Sequence, residues 1–254
     1  MRIKFINKNT TFFFSISNNP SERGSIFYNN LFKNKKKNFL YVPIKINNNS
    51  QFKKFFLFLK TKIINTGGMS ISMPFKSTSL KFANSKHYSA IKSKNTNTII
   101  FKKKKVLAYN SDFLAAKKIL KKNIFNNYLI IGAGSLASTF LSLLKNKKVY
   151  IFNRSKKNVI KILKIYKTAK NLNKSNSRKL KNICVINAAP YHDNKKLLNM
   201  IDLNEIKYIC DCVIGDKNIF KSISKKKKIK YTDGMFFYKI QRNYQKKIYL
   251  NEKI

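Results

Sequence analysis

Acidic side chains are nearly missing from this chain. Nine Asp and Glu stand against 55 Lys and Arg, giving a net charge of +46 over 254 residues. Tryptophan is absent, and there are only seven glycines, four prolines and three cysteines. Cys184, Cys210 and Cys212 form no CxxC pair, and neither histidine completes a zinc-ligand spacing with them. That argues against a zinc site, so no metal is expected. The odd count and the apolar surroundings predict buried thiols in a reducing, cytoplasmic compartment. No run reaches the roughly 18 to 20 apolar residues of a membrane span. The opening "MRIKFINKNTTFFFSIS" is basic and then apolar, like a weak signal peptide. Its apolar part is short, and no small-residue cleavage site follows, so it reads as a first core strand.

What is present is apolar and aromatic. The chain is 43% hydrophobic, with 21 Phe and 13 Tyr. Disordered chains lack that content, so a folded protein of one or two domains is expected from residue 10 onward. The charge has two readings. One is a nucleic-acid or anionic-membrane binder. The other is A+T-rich codon usage, which raises Lys, Asn, Ile, Phe and Tyr together. The lysines are scattered through almost every segment, and the five arginines lie far apart. The second reading therefore prevails, and no specific nucleic-acid or membrane partner is expected. Nonspecific, salt-sensitive attraction to polyanions remains.

Strand-like and helix-like runs alternate with short links, an α/β pattern. Strands are predicted at 11–17, 38–46 and 68–74, and helices at 24–33 and 50–63. "TNTIIF" and "KVLAYN" read as two strands around the lysine run 102–105, a hairpin turn. A second alternation starts near residue 112 with the helix "SDFLAAKKILKK". Strands follow at "YLIIGAG", "KVYIFNRS", "NICVINAAP", "YICDCVI" and "KIKYTDG". "SLASTFLSLLKN" and 156–171 read as helices, 172–182 as loop, and a last helix opens at Gly234.

"YLIIGAGSLASTF" leading into "KVYIFNRS" has the βαβ layout of a dinucleotide site. Gly132 allows the tight turn, and Gly134 lets the backbone approach a pyrophosphate. Ala137 takes the third glycine position, against the strand. The next helix aims its N–H groups at the phosphates. At the end of the second strand, an NAD site would carry Asp or Glu for the ribose hydroxyls. This chain has Asn153, Arg154 and Ser155 there, then Lys156 and Lys157. An amide, a guanidinium and a hydroxyl suit a 2′-phosphate and favour NADP. The same residues could instead be one more basic surface turn.

Scarce residues are informative by position. Glycines 24, 68, 132, 134 and 234 and prolines 20, 74 and 190 fall at predicted strand–helix junctions or turns, where special backbone angles are needed. Asp112 is the only acid between Glu22 and Asp193. It, or Ser111, could cap the helix that begins there.

Taken together these residues resemble the shikimate dehydrogenase family. "SISMPFK", "NTNTI", "AYNSD", "IGAGSLAS", "FNRS", "INAAP" and "DGMFFYKIQ" match its motifs in order, from about residue 6 to 248. The leader "INKNTTFFFSISNNPSERGSIFYNNLF" is most similar to the shikimate-dehydrogenase-like branch. The resemblance implies NADP(H)-linked interconversion of 3-dehydroshikimate and shikimate, a step of aromatic amino-acid and chorismate biosynthesis. It implies that Lys76 and Asp112 handle the proton. It implies substrate contacts at Ser25, Ser72, Asn97 and Gln241, with Ser21 and Gln245 as further candidates. For Ser21, Ser25 and Ser72 ordinary loop or strand hydroxyls are the competing reading. On the cofactor side it implies Ala133, Ser135, Leu136, Lys157, Asn187, Ala188 and Phe237 beside the residues above. The implied architecture is a substrate-binding catalytic domain, 1–110, completed by 236–254. A Rossmann-type NADP-binding domain of parallel strands occupies 111–235. A monomer or homodimer is expected.

The sequence departs from the family pattern at several points. Asn29 replaces a His, Ala189 a Thr, His192 a Gly, Ile214 a substrate-contacting Tyr and Phe236 a Gly. Two alternatives follow: a relaxed quinate/shikimate dehydrogenase, or a degraded, non-catalytic NADP- or polyanion-binding protein.

Overall fold

The computed structural model describes residues 6–102, 105–122, 124–189, 195–215 and 219–254. The tip of the expected lysine hairpin (Lys103, Lys104), Pro190 and His192 lie outside the described residues. The chain divides into two compact units. One comprises the residues up to Ser111 together with Tyr244–Ile254, and the other comprises Asp112–Asn243.

The first unit runs β1 (Thr11–Ser17), α1 (Glu22–Asn34), β2 (Phe39–Lys45), α2 (Asn49–Lys60), β3 (Thr66–Ile71), α3 (Lys76–Ser79), β4 (Ser85–Lys86), α4 (Tyr88–Ser93), β5 (Thr98–Lys102) and β6 (Lys105–Tyr109). Its six strands form one mixed sheet, ordered β2-β1-β3-β5-β6-β4. Pro43 sits in the edge strand β2, where a missing N–H donor costs least. In α2 the side chains of Phe52, Phe56 and Leu59 recur at helical spacing and are buried, and Asn48 caps the helix by accepting from Gln51 N–H.

The glycines of this unit do not mark junctions, contrary to expectation. Gly24 lies inside α1, and Gly67 and Gly68 lie inside β3. Their role is close approach. A Cβ on Gly68 would stand 2.5 Å from Ile99 O of the neighbouring strand, and one on Gly67 would strike the Phe13 ring. Strand β3 also ends at Ile71, short of Pro74. The chain turns there, with Phe75 N–H bonded to Ser72 O at 3.1 Å.

The second unit runs α5 (Ser111–Lys121), β7 (Asn127–Ile131), α6 (Ser135–Leu143), β8 (Lys148–Phe152), α7 (Lys156–Ile165), β9 (Ala169–Asn171), α8 (Lys174–Ser177), β10 (Ile183–Asn187), α9 (Lys195–Leu198), β11 (Ile206–Asp211), α10 (Ile219–Lys226), β12 (Lys230–Thr232) and α11 (Gly234–Tyr249). Helices α5 and α11 each contribute residues to both units. The strands are all parallel and ordered β9-β8-β7-β10-β11-β12. This is the doubly wound Rossmann order, whose two halves diverge between β7 and β10. Parallel strands covered on both faces read as continuous apolar runs, and all five residues of β10 are buried.

Two expectations are corrected here. The helix expected over 156–171 stops at Ile165, because Ala169–Asn171 pair with β8 as an edge strand. The expected loop 172–182 contains α8, closed by a capping box between Asn173 and Asn176. Among the described residues, no helix is long and apolar enough to cross a membrane. None of their His, Cys, Asp and Glu side chains gather in threes that could hold a metal ion.

Candidate functional site

In the first unit the expected substrate residue Asn97 stands at the entry to β5. Its side chain is buried, 3% exposed. The Oδ1 atom accepts three hydrogen bonds: Ser111 N–H at 2.9 Å, Ser111 Oγ–H at 3.0 Å and Thr98 Oγ1–H at 2.9 Å. Its backbone is held as well. The carbonyl accepts from Ile71 N–H, and the N–H donates to Tyr109 O. An amide whose oxygen is so fully used can turn only its NH₂ group toward a ligand. Ser111 and Asp112 lie within the first turn of α5, and the Ser111 hydroxyl serves Asn97.

Lys76 opens α3. Its carbonyl accepts Thr96 N–H at 3.0 Å and the Ser79 hydroxyl at 3.2 Å. The preceding Phe75 is fully buried and stacks on Phe52, with ring centroids 5.2 Å apart. The lysine backbone is therefore anchored on both sides, and its side chain is half-buried.

Ser72 closes β3 through Ser72 N–H to Ile16 O at 2.9 Å and leaves its hydroxyl exposed. Ser21 is the N-cap of α1 and makes no side-chain capping bond. The Ser25 hydroxyl donates to Glu22 O at 2.8 Å. Gln245 is engaged within the unit. Its Oε1 accepts Tyr28 O–H at 2.8 Å, and its Nε2 donates to Thr98 Oγ1 at 2.8 Å and Asn97 O at 3.3 Å. Asn29 has a structural reason. It exchanges two bonds with the Tyr41 backbone, tying α1 to edge strand β2.

In the second unit the glycine turn sits at the end of β7, beside the point where strand order reverses. Gly132 has φ +108°, and a Cβ there would press on Ala188 and Ala189. Gly134 is the N-cap of α6, with ordinary angles and no atom within 4 Å of a Cβ placed on it. The backbone there borders open space at a helix N-terminus, the setting that suits an anion. Ser135 begins α6, Ala133 and Leu136 pack against the core, and Ala137 is fully buried in it. One strand over, Asn153 Nδ2 donates to Ser155 O at 3.1 Å, and Ser155 caps α7. Arg154 and Lys157 are exposed. Asn153, Arg154 and Lys156 line a groove of about 730 Å³.

Asn187 ends β10 and is paired in register with Asp211 of β11. Its Nδ2 donates to Asp211 Oδ1 at 3.1 Å, while its buried Oδ1 has no partner among the described residues. Asp211 is fully buried. It also accepts Val213 N–H at 2.9 Å and Tyr231 O–H at 2.9 Å. Burial, and after it Asp211, pushes the Tyr231 phenol up. Sequence reasoning missed Asp211, Tyr231 and Thr98, and read Ser111 only as a cap. An acid inside the apolar run "YICDCV" was the available signal for the first.

Phe237 packs its ring into the core against Phe140, with centroids 6.1 Å apart. Phe236, one residue earlier, is exposed, as is Ile214. Asp112 and Gln241 are both buried, each 8% exposed. Cys184 and Cys210 are buried and Cys212 half-buried, all as free thiols. Burial, then Cys210, raises the Cys184 thiol well above its ordinary value.

The sequence model of the shikimate dehydrogenase substrate binding domain matches residues 22–99. A shikimate dehydrogenase-like protein of Haemophilus influenzae is 30% identical over 158 residues, 60% of this chain. That match spans 56% of the relative's length. A shikimate dehydrogenase (NADP(+)) of Clostridium botulinum is 32% identical over 181 residues, 68% of this chain and 69% of that one. Among solved structures, shikimate dehydrogenase from Aquifex aeolicus superposes with a TM-score of 0.78 at 22% identity, covering 98% of this chain and 96% of that one. On these matches the chain belongs to the shikimate dehydrogenase family.

Proposed function

We propose that the chain is an NADP(H)-dependent shikimate dehydrogenase that reduces 3-dehydroshikimate to shikimate, within the cytoplasm. The observation that carries this reading is Asn97. Its amide oxygen is fully used by Ser111 and Thr98, which leaves the NH₂ group to donate to a ring hydroxyl.

The residues present fit NADP. Open space lies at Gly134, where a pyrophosphate approaches backbone N–H groups. Arg154, beside Asn153 and Ser155, stands where a 2′-phosphate is received. Bound there, the cofactor supplies the hydride.

This chain's own residues do the rest. Asn97 donates to a ring hydroxyl, and Ser21 and Ser72 offer hydroxyls to the substrate carboxylate or ring. Lys76 delivers the proton to the oxygen as it gains charge, and Asp112 holds the ammonium and a substrate hydroxyl. A positioned acid of this kind contributes roughly 10²- to 10⁴-fold.

The test is purified protein with shikimate and NADP⁺, followed at the NADPH absorbance. Turnover that falls at least about a hundredfold in Lys76→Ala supports the reading. Absence of turnover in the parent protein overturns it. Equal activity on quinate would favour the broader dehydrogenase, a reading supported by Ile214 in place of a substrate-contacting Tyr.

A further inference from the structure

The hydrogen bonds leading to Asn97 form a chain whose direction is fixed at both ends. At one end Gln245 Nε2 lies 3.3 Å from Asn97 O. A backbone carbonyl only accepts, so this end of the glutamine must be its nitrogen. Gln245 Oε1 then faces Tyr28, whose hydroxyl must donate. The same Nε2 donates to Thr98 Oγ1 at 2.8 Å. That leaves the threonine's single proton for Asn97 Oδ1. At the other end Ser111 N–H, which only donates, meets the same Oδ1 at 2.9 Å. No amide in the chain can flip without setting two donors or two acceptors against each other, all of them buried.

Resting on the reading that Asn97 meets a substrate hydroxyl, we infer that Thr98 and Gln245 are positioning residues that make Asn97 a donor-only contact. The substrate atom at Asn97 is then an acceptor oxygen. An analogue presenting only a donor N–H at that position is rejected, because the outward amide hydrogens would face it. Thr98 and Gln245 touch no substrate themselves, and they act by fixing which end of Asn97 does.

The experiment is steady-state kinetics on shikimate with Thr98→Val and Thr98→Ser, alongside NADP⁺ titration without shikimate. Thr98→Val removes the donated proton at nearly constant volume. Its KM for shikimate is expected to rise about tenfold with kcat within about twofold, the pattern of lost uniform binding. NADP⁺ affinity stays unchanged, and Thr98→Ser recovers most of the lost shikimate affinity. In an Asn97→Ala background, Thr98→Val adds nothing further. Gln245→Glu gives a second route should Thr98→Val fold poorly. The carboxylate only accepts and draws the Thr98 proton away from Asn97, so KM rises again. A parent protein that turns over shikimate while both variants keep its KM overturns the inference, as does full additivity with Asn97→Ala. A parent protein without turnover overturns the reading of function instead.

Discussion

Asn187 and Asp211 face each other across β10 and β11, and the asparagine's Nδ2 donates to the aspartate's Oδ1 at 3.1 Å. The pair stands at the carboxyl end of the sheet, next to the glycine turn. Ala188 N–H, the next donor in the chain, reaches Ile131 O at 2.9 Å, and Ala188 bounds the space around Gly132. Asp211 receives Asn187, Val213 and Tyr231 together, so its removal leaves three donors without an acceptor. Asn187 Nδ2 is the buried donor among them, and a buried orphan costs about 1–3 kcal/mol, so Asp211→Ala should destabilise by at least about that much. Asp211→Asn keeps an oxygen for two of the donors and should cost less than half as much. Guanidinium unfolding of the two variants is the measurement, and equal losses would contradict this account.

The buried acids set an alkaline limit. Burial raises the Cys184 thiol well above 9.0 and the Tyr249 phenol well above 10.0. The unfolded chain ionises these groups at their ordinary values, whereas the folded chain keeps them protonated. Above those values the folded state binds more protons, so stability falls as pH rises. Below about pH 7.5 both states are protonated, and these groups contribute almost no slope. Denaturation midpoints should therefore be flat up to about pH 7.5 and fall from about pH 8.5 upward, less steeply in Cys184→Ala. The buried Cys184 and Cys210 should also resist Ellman's reagent until the protein unfolds. A flat profile through pH 10 would count against the buried-thiol account.

On the proposed reading, cofactor choice rests on Arg154. A guanidinium bonded to a phosphate contributes about 1.5–3 kcal/mol, so Arg154→Ala should weaken NADP⁺ binding roughly tenfold to a hundredfold. NAD⁺, which lacks the 2′-phosphate, should be affected within about twofold. Lys157 is an exposed point charge without that fork, so Lys157→Ala should cost NADP⁺ affinity less than about fivefold. Equal losses for the two dinucleotides in Arg154→Ala would remove the 2′-phosphate from the explanation.

Some of this was legible in the sequence for physical reasons. Strands buried on both faces give unbroken apolar runs, so β7, β10 and β11 could be read directly. Gly132 could be read because its φ admits almost nothing else. Gly67 and Gly68 were obscure because packing against Phe13 and Ile99 leaves no local signal. Lysines on every surface blurred the end of α7, and the edge strand β9 is only three residues long. The helical period could not show that Phe237 turns inward and Phe236 outward. The network around Asn97 joins residues up to 217 positions apart, so neither the use of Gln245 nor the polarity of Thr98 had a sequence signature.

The two turn glycines separate folding from binding. Gly132 has φ +108°, and a Cβ there would lie 3.0 Å from Ala189 Cβ. Gly132→Ala therefore strains the backbone as well as the packing and should cost about 1–3 kcal/mol of stability. Gly134 has φ −94° and ψ −168°, angles open to any residue, and a Cβ there meets no atom within 4 Å. Gly134→Ala should fold as well as the parent, or gain about 0.4–1 kcal/mol by restricting the unfolded chain. The added methyl nevertheless occupies the space through which a pyrophosphate reaches the first N–H groups of α6, so NADP⁺ affinity should fall at least about tenfold. Thermal denaturation and NADP⁺ titration on the same preparations test both halves. A Gly134→Ala protein that binds NADP⁺ as tightly as the parent would show that the dinucleotide does not use this turn.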